Sequence, residues 1–315
     1  MRGTCLVYSS HNRCWYIHEQ RIVRRALEGM NNRRILFLPF SEAPHPDGNE
    51  LPSQKYGFDK FNWFFQKYTH LGLEVVPFFY TSSLSRDDVN TLFDLLQSSE
   101  VVILGGGNTS LGIRRFREIG QQFYGDSEIF SRMLHERQDN GLFTVGFSAG
   151  ADQLCQYIGT SIDYNISHPW GFGLARNVVV TLHHEPFSGG SLLKGTRAFP
   201  DCMVFGLPND SGIEVMEGRL ASGLIYQIIE FIIDNSWDNP YEEFHIKTRQ
   251  GTKIDHFYYD GRHWGFNAGD MMVRVIDPND NDYRAWIVSG GQILDYWNQQ
   301  PAHFGSIDGI LNQFS

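Results

Sequence analysis

Ser148 lies between glycines in Gly146-Phe147-Ser148-Ala149-Gly150. The segment follows the apolar alternation Phe143, Val145, Phe147, which reads as a short buried strand, and precedes a helical pattern from Ala149 to Tyr157. A serine on so tight a strand-to-helix turn fits a nucleophile elbow, in which a strained backbone lifts the hydroxyl clear of the sheet. An ordinary turn that happens to hold a serine would look the same. A serine hydroxyl needs a base near neutral pH, and His183, closing the apolar run from Val178 to Leu182, is the candidate. Gly105-Gly106-Gly107-Asn108-Thr109 follows another apolar run, Val101–Leu104. It fits neither GxGxxG nor a Walker A loop, so phosphate binding is weakly supported. As an oxyanion hole, Gly107 N–H would pair with the N–H of Ala149, the residue after the serine. His183-His184-Glu185 could instead be read as metal ligands, but adjacent residues of an extended chain diverge. No metal and no cofactor are expected.

These residues need strands that end on one edge. The runs Cys5–Ser9, Ile35–Phe40, Val75–Tyr80, Val101–Gly105, Phe143–Phe147, Val178–His183 and Met203–Leu207 alternate with amphipathic segments at 18–30, 58–71, 86–99, 110–119 and 128–139. That alternation predicts an α/β fold, a mostly parallel, doubly wound sheet covered on both faces. Ligands in such sheets gather at the carboxyl ends of the strands, and Gly107, Ser148 and His183 each follow a strand. Residues 41–57 read as a long polar loop, a length that is often functional or mobile. After about residue 236 the strands shorten: Phe244–Thr248, Lys253–Tyr259, Met271–Ile276 and Ala285–Ser289, with Gln250-Gly251-Thr252 suggesting a hairpin turn. This predicts residues 1–235 as the catalytic α/β domain and 236–315 as an antiparallel β extension, either appended or completing the core sheet.

The chain has 315 residues and a formal charge of −10. The Arg114-Arg115-Arg117 cluster reads as a solvated helix face, so nucleic acid is not an expected partner. The apolar run Leu224–Ile233 is too short for a membrane span. Four scattered cysteines without a CxxC pair argue against a disulfide framework and a cysteine-based zinc site. Met1-Arg2-Gly3-Thr4 runs straight into a strand pattern and does not read as a signal peptide. A cytoplasmic location is the expectation. Oligomeric state is open, with a homodimer possible.

Together, Gly-Gly-Gly-Asn-Thr at 105–109, Gly-Phe-Ser-Ala-Gly-Ala at 146–151 and a strand ending in His183 resemble peptidase family S51. Aspartyl dipeptidase and cyanophycinase-like enzymes form this family, within the class I glutamine amidotransferase-like folds. The resemblance covers roughly residues 1–225. It implies a three-layer α/β fold with Ser148 as nucleophile, His183 as general base, and Gly107 and Ala149 as oxyanion donors. It further implies a role for Asp163 in catalysis, and for Arg197 and Asn108 in binding a small acidic peptide. A guanidinium fork also matches a carboxylate on chemical grounds; a surface ion pair is the plainer alternative for Arg197. One departure stands out. Where the family carries a glutamate to complete the triad, this chain has Asn209, followed by Asp210. Either Asn209 orients the histidine, as amides do in papain-like enzymes, or Asp210 replaces it, or the site is crippled. The resemblance thus implies a serine peptidase cutting after an N-terminal aspartyl residue. The alternatives are a hydrolase of β-aspartyl or branched peptides, and a non-catalytic binding protein on the same fold.

Overall fold

The computed structural model describes residues 3–10, 15–29, 32–163, 168–234, 251–279 and 283–315. The strand read at Phe244–Thr248, the proposed turn residue Gln250, Cys14 and the 235/236 boundary lie outside them. The strands are β1 (Cys5–Tyr8), β2 (Arg34–Leu38), β3 (Glu74–Pro77), β4 (Val101–Leu104), β5 (Phe143–Phe147), β6 (Val178–Leu182), β7 (Met203–Leu207), β8 (Ser211–Arg219), β9 (Ile225–Ile233), β10 (Ile254–Phe257), β11 (His263–Phe266), β12 (Met271–Ile276), β13 (Tyr283–Ser289) and β14 (Gln292–Asp295). The α-helices are α1 (Trp15–Ile17), α2 (Arg24–Glu28), α3 (Leu51–Phe65), α4 (Arg86–Ser98), α5 (Thr109–Tyr124), α6 (Ile129–Asp139), α7 (Ala149–Leu154), α8 (Gly189–Ala198) and α9 (Ile307–Phe314).

The larger sheet runs β14-β13-β12-β9-β8-β1-β5-β4-β2-β3. Its β1-β5-β4-β2-β3 half is parallel, as the strand–helix alternation predicts. From β1 outward the other half is antiparallel. β6 and β7 pair in parallel but leave this sheet, forming a second one in the order β11-β10-β7-β6. The reason is competition for an edge: β8 occupies the side of β1 opposite β5, with Val7 facing Ile213. The C-terminal strands complete both sheets. β12 pairs with β9, and β10 pairs with β7.

Alternation along the parallel strands sorts their side chains into two cores. Cys5, Val7, Leu36, Leu38, Val102 and Leu104 face one cluster, which also holds residues of α4 to α7 and of β6 and β7. Leu6, Tyr8, Ile35, Phe37, Val101, Ile103, Val145 and Phe147 face the other, under α1 to α3. The result is three layers. The second core is aromatic: Phe61 stacks on Phe37 with centroids 4.5 Å apart and lies nearly parallel to Phe147 at 5.7 Å. Phe147 immediately precedes Ser148, so this stack braces the elbow.

One sequence expectation needs correction. Residues 41–57 are not wholly loop, because α3 begins at Leu51. Pro52 lies in its first turn, where the missing N–H is not needed, and Asn49 Oδ1 accepts the Leu51 N–H at 3.1 Å. The run Leu224–Ile233, read as too short for a membrane span, contains β9, paired between β8 and β12. Among the described residues no helix is long and apolar enough to cross a membrane.

Removing the central ring of the stack should register as a cavity. Phe61→Ala is expected to lower unfolding free energy by about 3–5 kcal/mol, measured by chemical denaturation.

Candidate functional site

Three loops meet where β1 ends. Ser148 adopts φ 49°, ψ −122°, a region that costs a non-glycine residue on the order of 1–3 kcal/mol. Its N–H donates to Tyr8 O at 3.0 Å, and its carbonyl accepts from Asp152 N at 3.2 Å. Close approach explains the second glycine of the motif. A Cβ on Gly150 would sit 2.0 Å from Leu104 O, so only glycine lets α7 pack so near β4. His183 also has positive φ, 53°. Its N–H donates to the buried Ser9 Oγ at 2.7 Å. Ser9 N–H in turn donates to Ser211 O at 2.9 Å, fixing the chain that carries Asn209 and Asp210. Consecutive residues Tyr8 and Ser9 therefore hold all three segments.

Within this frame Ser148 Oγ lies 3.5 Å from His183 Nε2, and His183 Nδ1 lies 2.5 Å from Asn209 Oδ1. An amide oxygen can only accept, so Nδ1 carries the hydrogen and Nε2 presents a lone pair to the serine. Ala149 is the first residue of α7, where a backbone N–H has no partner inside the helix. The glycine turn reaches the serine directly: a Cβ on Gly106 would lie 3.3 Å from Ser148 Cβ. Gly107 has φ 125°, and a Cβ there would fall 2.2 Å from Ser41 O. Both facts require glycine.

The other sequence candidates make the following contacts. Asn108 caps α5, its side chain accepting from Leu111 N at 2.9 Å. Asp163 accepts from Ser191 Oγ at 3.1 Å and pairs with Lys194 at 3.6 Å, both on α8. Arg197, exposed on the last turn of α8, donates to Tyr259 O at 3.3 Å. Asn209 supplies the hydrogen bond to His183, while Asp210 is buried with φ 59° and its carbonyl accepts from Asp234 N at 2.9 Å. His184 turns inward, and Asp255 on β10 meets both His184 (2.9 Å) and His263 (2.8 Å). Burial pushes the Asp255 carboxyl up, but the hydrogen bonds from His184 and His263 outweigh it and hold it below the usual range.

Sequence reasoning passed over Ser9, Ser41, Asp152 and Gln153. Asp152 lies one turn beyond Ser148 and is 1% exposed. Burial pushes its carboxyl up to about 7, although hydrogen bonds from Gly159 N–H and from the Thr109 and Thr160 hydroxyls oppose the shift. Nothing in its spacing announces that role, because its partners come from two other segments.

A sequence model of peptidase family S51 matches residues 6–222. Peptidase E of Salmonella arizonae is 23% identical over 224 residues, spanning 67% of this chain and 84% of that protein. Peptidase E of Salmonella typhimurium matches to the same extent. Among solved structures, a peptidase from an acI-B1 actinobacterium superposes with a TM-score of 0.56 at 14% identity, covering 86% of this chain and 96% of that one. That likeness is one of fold.

Two measurements test the local physics. Ser148→Gly exchanges the strain for glycine's extra unfolded-state entropy, with an expected net stabilisation of about 1 kcal/mol, whereas Ser148→Ala keeps the strain and gains nothing. Equilibrium denaturation of the two variants reads the difference. The raised Asp152 pKa means that the fold retains a proton the unfolded chain releases near pH 4. Stability from this group is therefore full below about pH 4 and falls as pH rises to about 7, by at most about 1.4 kcal/mol per unit. Asp152→Asn should flatten that part of the stability–pH curve.

Proposed function

We propose the following for this chain, which belongs to peptidase family S51: it is a serine peptidase that cuts small peptides after an N-terminal aspartyl residue. Membership makes it a peptidase; the serine mechanism and the aspartyl preference are our reading. The observation that carries the reading is the continuous contact from Ser148 Oγ to His183 Nε2 and from His183 Nδ1 to Asn209 Oδ1. A separation of 3.5 Å is long for a formed hydrogen bond, but catalytic pairs without substrate are often loose and tighten when it binds.

The steps follow from those atoms. His183 Nε2 takes the proton of Ser148 Oγ as that oxygen bonds to the carbonyl carbon of the aspartyl residue. The carbonyl π pair moves to oxygen, and the N–H groups of Gly107 and Ala149 stabilise it there. When the C–N bond breaks, His183 returns its proton to the leaving amine. An ester on Ser148 remains. Water, deprotonated by the same nitrogen, attacks that ester and releases the acid, restoring the serine. Asn209 holds the imidazole in the required tautomer but offers no charge to the imidazolium. Arg197 is our candidate for the substrate's side-chain carboxylate, because its guanidinium is exposed and donates to a neutral carbonyl, Tyr259 O.

Asn209 also favours a second reading, a protein on this fold that binds acidic peptides without turnover. Hydrolysis of Asp-X dipeptides and labelling by a fluorophosphonate decide between them. We expect the wild type to do both and Ser148→Ala to do neither; equal hydrolysis by the two proteins would end the serine mechanism. A parallel panel of β-aspartyl peptides fixes the linkage, and cleavage confined to β-linked substrates would replace the α-aspartyl assignment. Asn209→Asp places a carboxylate against the imidazole. Opposite charges at that distance favour the protonated ring, so the acid limb of kcat/KM should move to higher pH.

A further inference from the structure

Arg115 belongs to the arginine cluster that the sequence presents as a solvated helix face, yet its side chain is only 2% exposed. It reaches from α5 beneath the loop that follows β2. Nη1 donates to Phe40 O at 2.8 Å and to Glu42 O at 2.7 Å. Nη2 lies 3.5 Å from Glu50 Oε1, and the guanidinium stands 4.6 Å over the ring of Tyr80. The carbonyls on both sides of Ser41 are thus pinned to one rigid, buried cation.

Ser41 is the residue on which the glycine turn rests. Its carbonyl accepts from Asn108 N at 2.7 Å and fills the space a Gly107 side chain would need. Its hydroxyl accepts from Gln153 Nε2 at 2.8 Å, and the same Gln153 nitrogen donates to Thr109 O at 3.0 Å. Gln153 stands on α7, whose first residue is Ala149. Gly112 leaves the opening for this junction, since a Cβ there would lie 2.3 Å from Gln153 Nε2 and 2.4 Å from Ser41 Oγ. Ser41 therefore links the two backbone platforms, the turn at Gly107 and the start of α7, and Arg115 fixes Ser41 from below.

We propose that Arg115 is a positioning residue for the oxyanion hole, acting through Ser41 to set the Gly107 N–H relative to the Ala149 N–H. The proposal rests on the reading of Ser148 as nucleophile. A structural arginine that merely held the loop would affect stability. A positioning one affects the transition state more than the ground state, because the oxyanion forms only there. Loss of one oxyanion donor costs about 100- to 1000-fold, and a displacement of about 1 Å can cost about 100-fold.

The test compares full-length wild type, Arg115→Met and Ser41→Ala on an Asp-X dipeptide, with kcat expressed per folded molecule. Arg115→Met is expected to lose about 10- to 100-fold in kcat while KM stays within about threefold. Its acid limb should not move, because the histidine and Asn209 are untouched. Ser41→Ala removes only the hydroxyl that Gln153 holds, and should show the same split on a smaller scale; it carries the test if Arg115→Met does not fold. An unchanged kcat in the folded variants overturns the proposal. So does a rise in KM at constant kcat, or a loss that merely follows the unfolded fraction. A wild type inert toward both the peptide and the fluorophosphonate overturns the nucleophile assignment and this proposal with it.

Discussion

The carboxyl end of β1 is the constraint on which the rest of the site depends. Tyr8 O holds the Ser148 N–H, Ser9 Oγ holds the His183 N–H, and Ser9 N–H holds Ser211 O. The first two segments follow β5 and β6 and the third opens β8, and β6 lies in a different sheet from the other two. Two adjacent residues thus bring elements of both sheets into register. β1 can do this because it is central, flanked by β5 in parallel and β8 in antiparallel, with no exposed edge on which to shift.

That anchoring also explains where strain is tolerated. Ser148, His183 and Asp210 all have positive φ, and each stands next to a strand whose position is already fixed. Strain of this kind persists only where the surroundings over-determine the backbone. The elbow is braced on the apolar side by the Phe37–Phe61–Phe147 stack and on the polar side by Asp152 and Gln153, which tie α7 to Thr109. A helix of six residues has little stability of its own, so these ties, rather than propensity, hold Ala149 in place.

The parallel half of the fold was legible because apolar runs and amphipathic segments carry period information that survives without tertiary context. Ser148 and His183 were legible for a related reason: a serine between glycines after a strand, and a histidine at the end of another, are local patterns. The contact between His183 and Asn209 was expected only as one of three options, since a one-residue shift between Asn209 and Asp210 is decided by the Asp210 backbone and by Ser9, neither of which is local. β8 and β9 were missed where β9 read as an apolar run, because a polar residue on its buried side, Gln227, and an apolar one on its more exposed side, Ile228, break the period-two contrast that marks a strand. Arg115 was misjudged as a surface charge. Its shortest hydrogen bonds go to the backbone carbonyls of Phe40 and Glu42, which have no signature in a sequence.

The C-terminal strands extend this logic to the supposed appendage. β10 pairs with β7, and Asp255 on β10 receives His184, the neighbour of the proposed base. Phe257 O accepts from Thr196 Oγ1 at 3.0 Å, and Tyr259 O accepts from Arg197. The backbone near the base and the helix bearing the proposed specificity arginine are therefore both buttressed by residues beyond 250. β6 and β7 without β10 would form a two-stranded ribbon, which is marginal in water. The family match ends at residue 222, so the strands that steady the His183 loop come from the part of this chain outside it. It follows that geometry at His183 and at Arg197 is coupled through β10. A change in that strand would disturb the proposed base and the proposed specificity arginine together, while the elbow, anchored on β1 and β5, would remain in place.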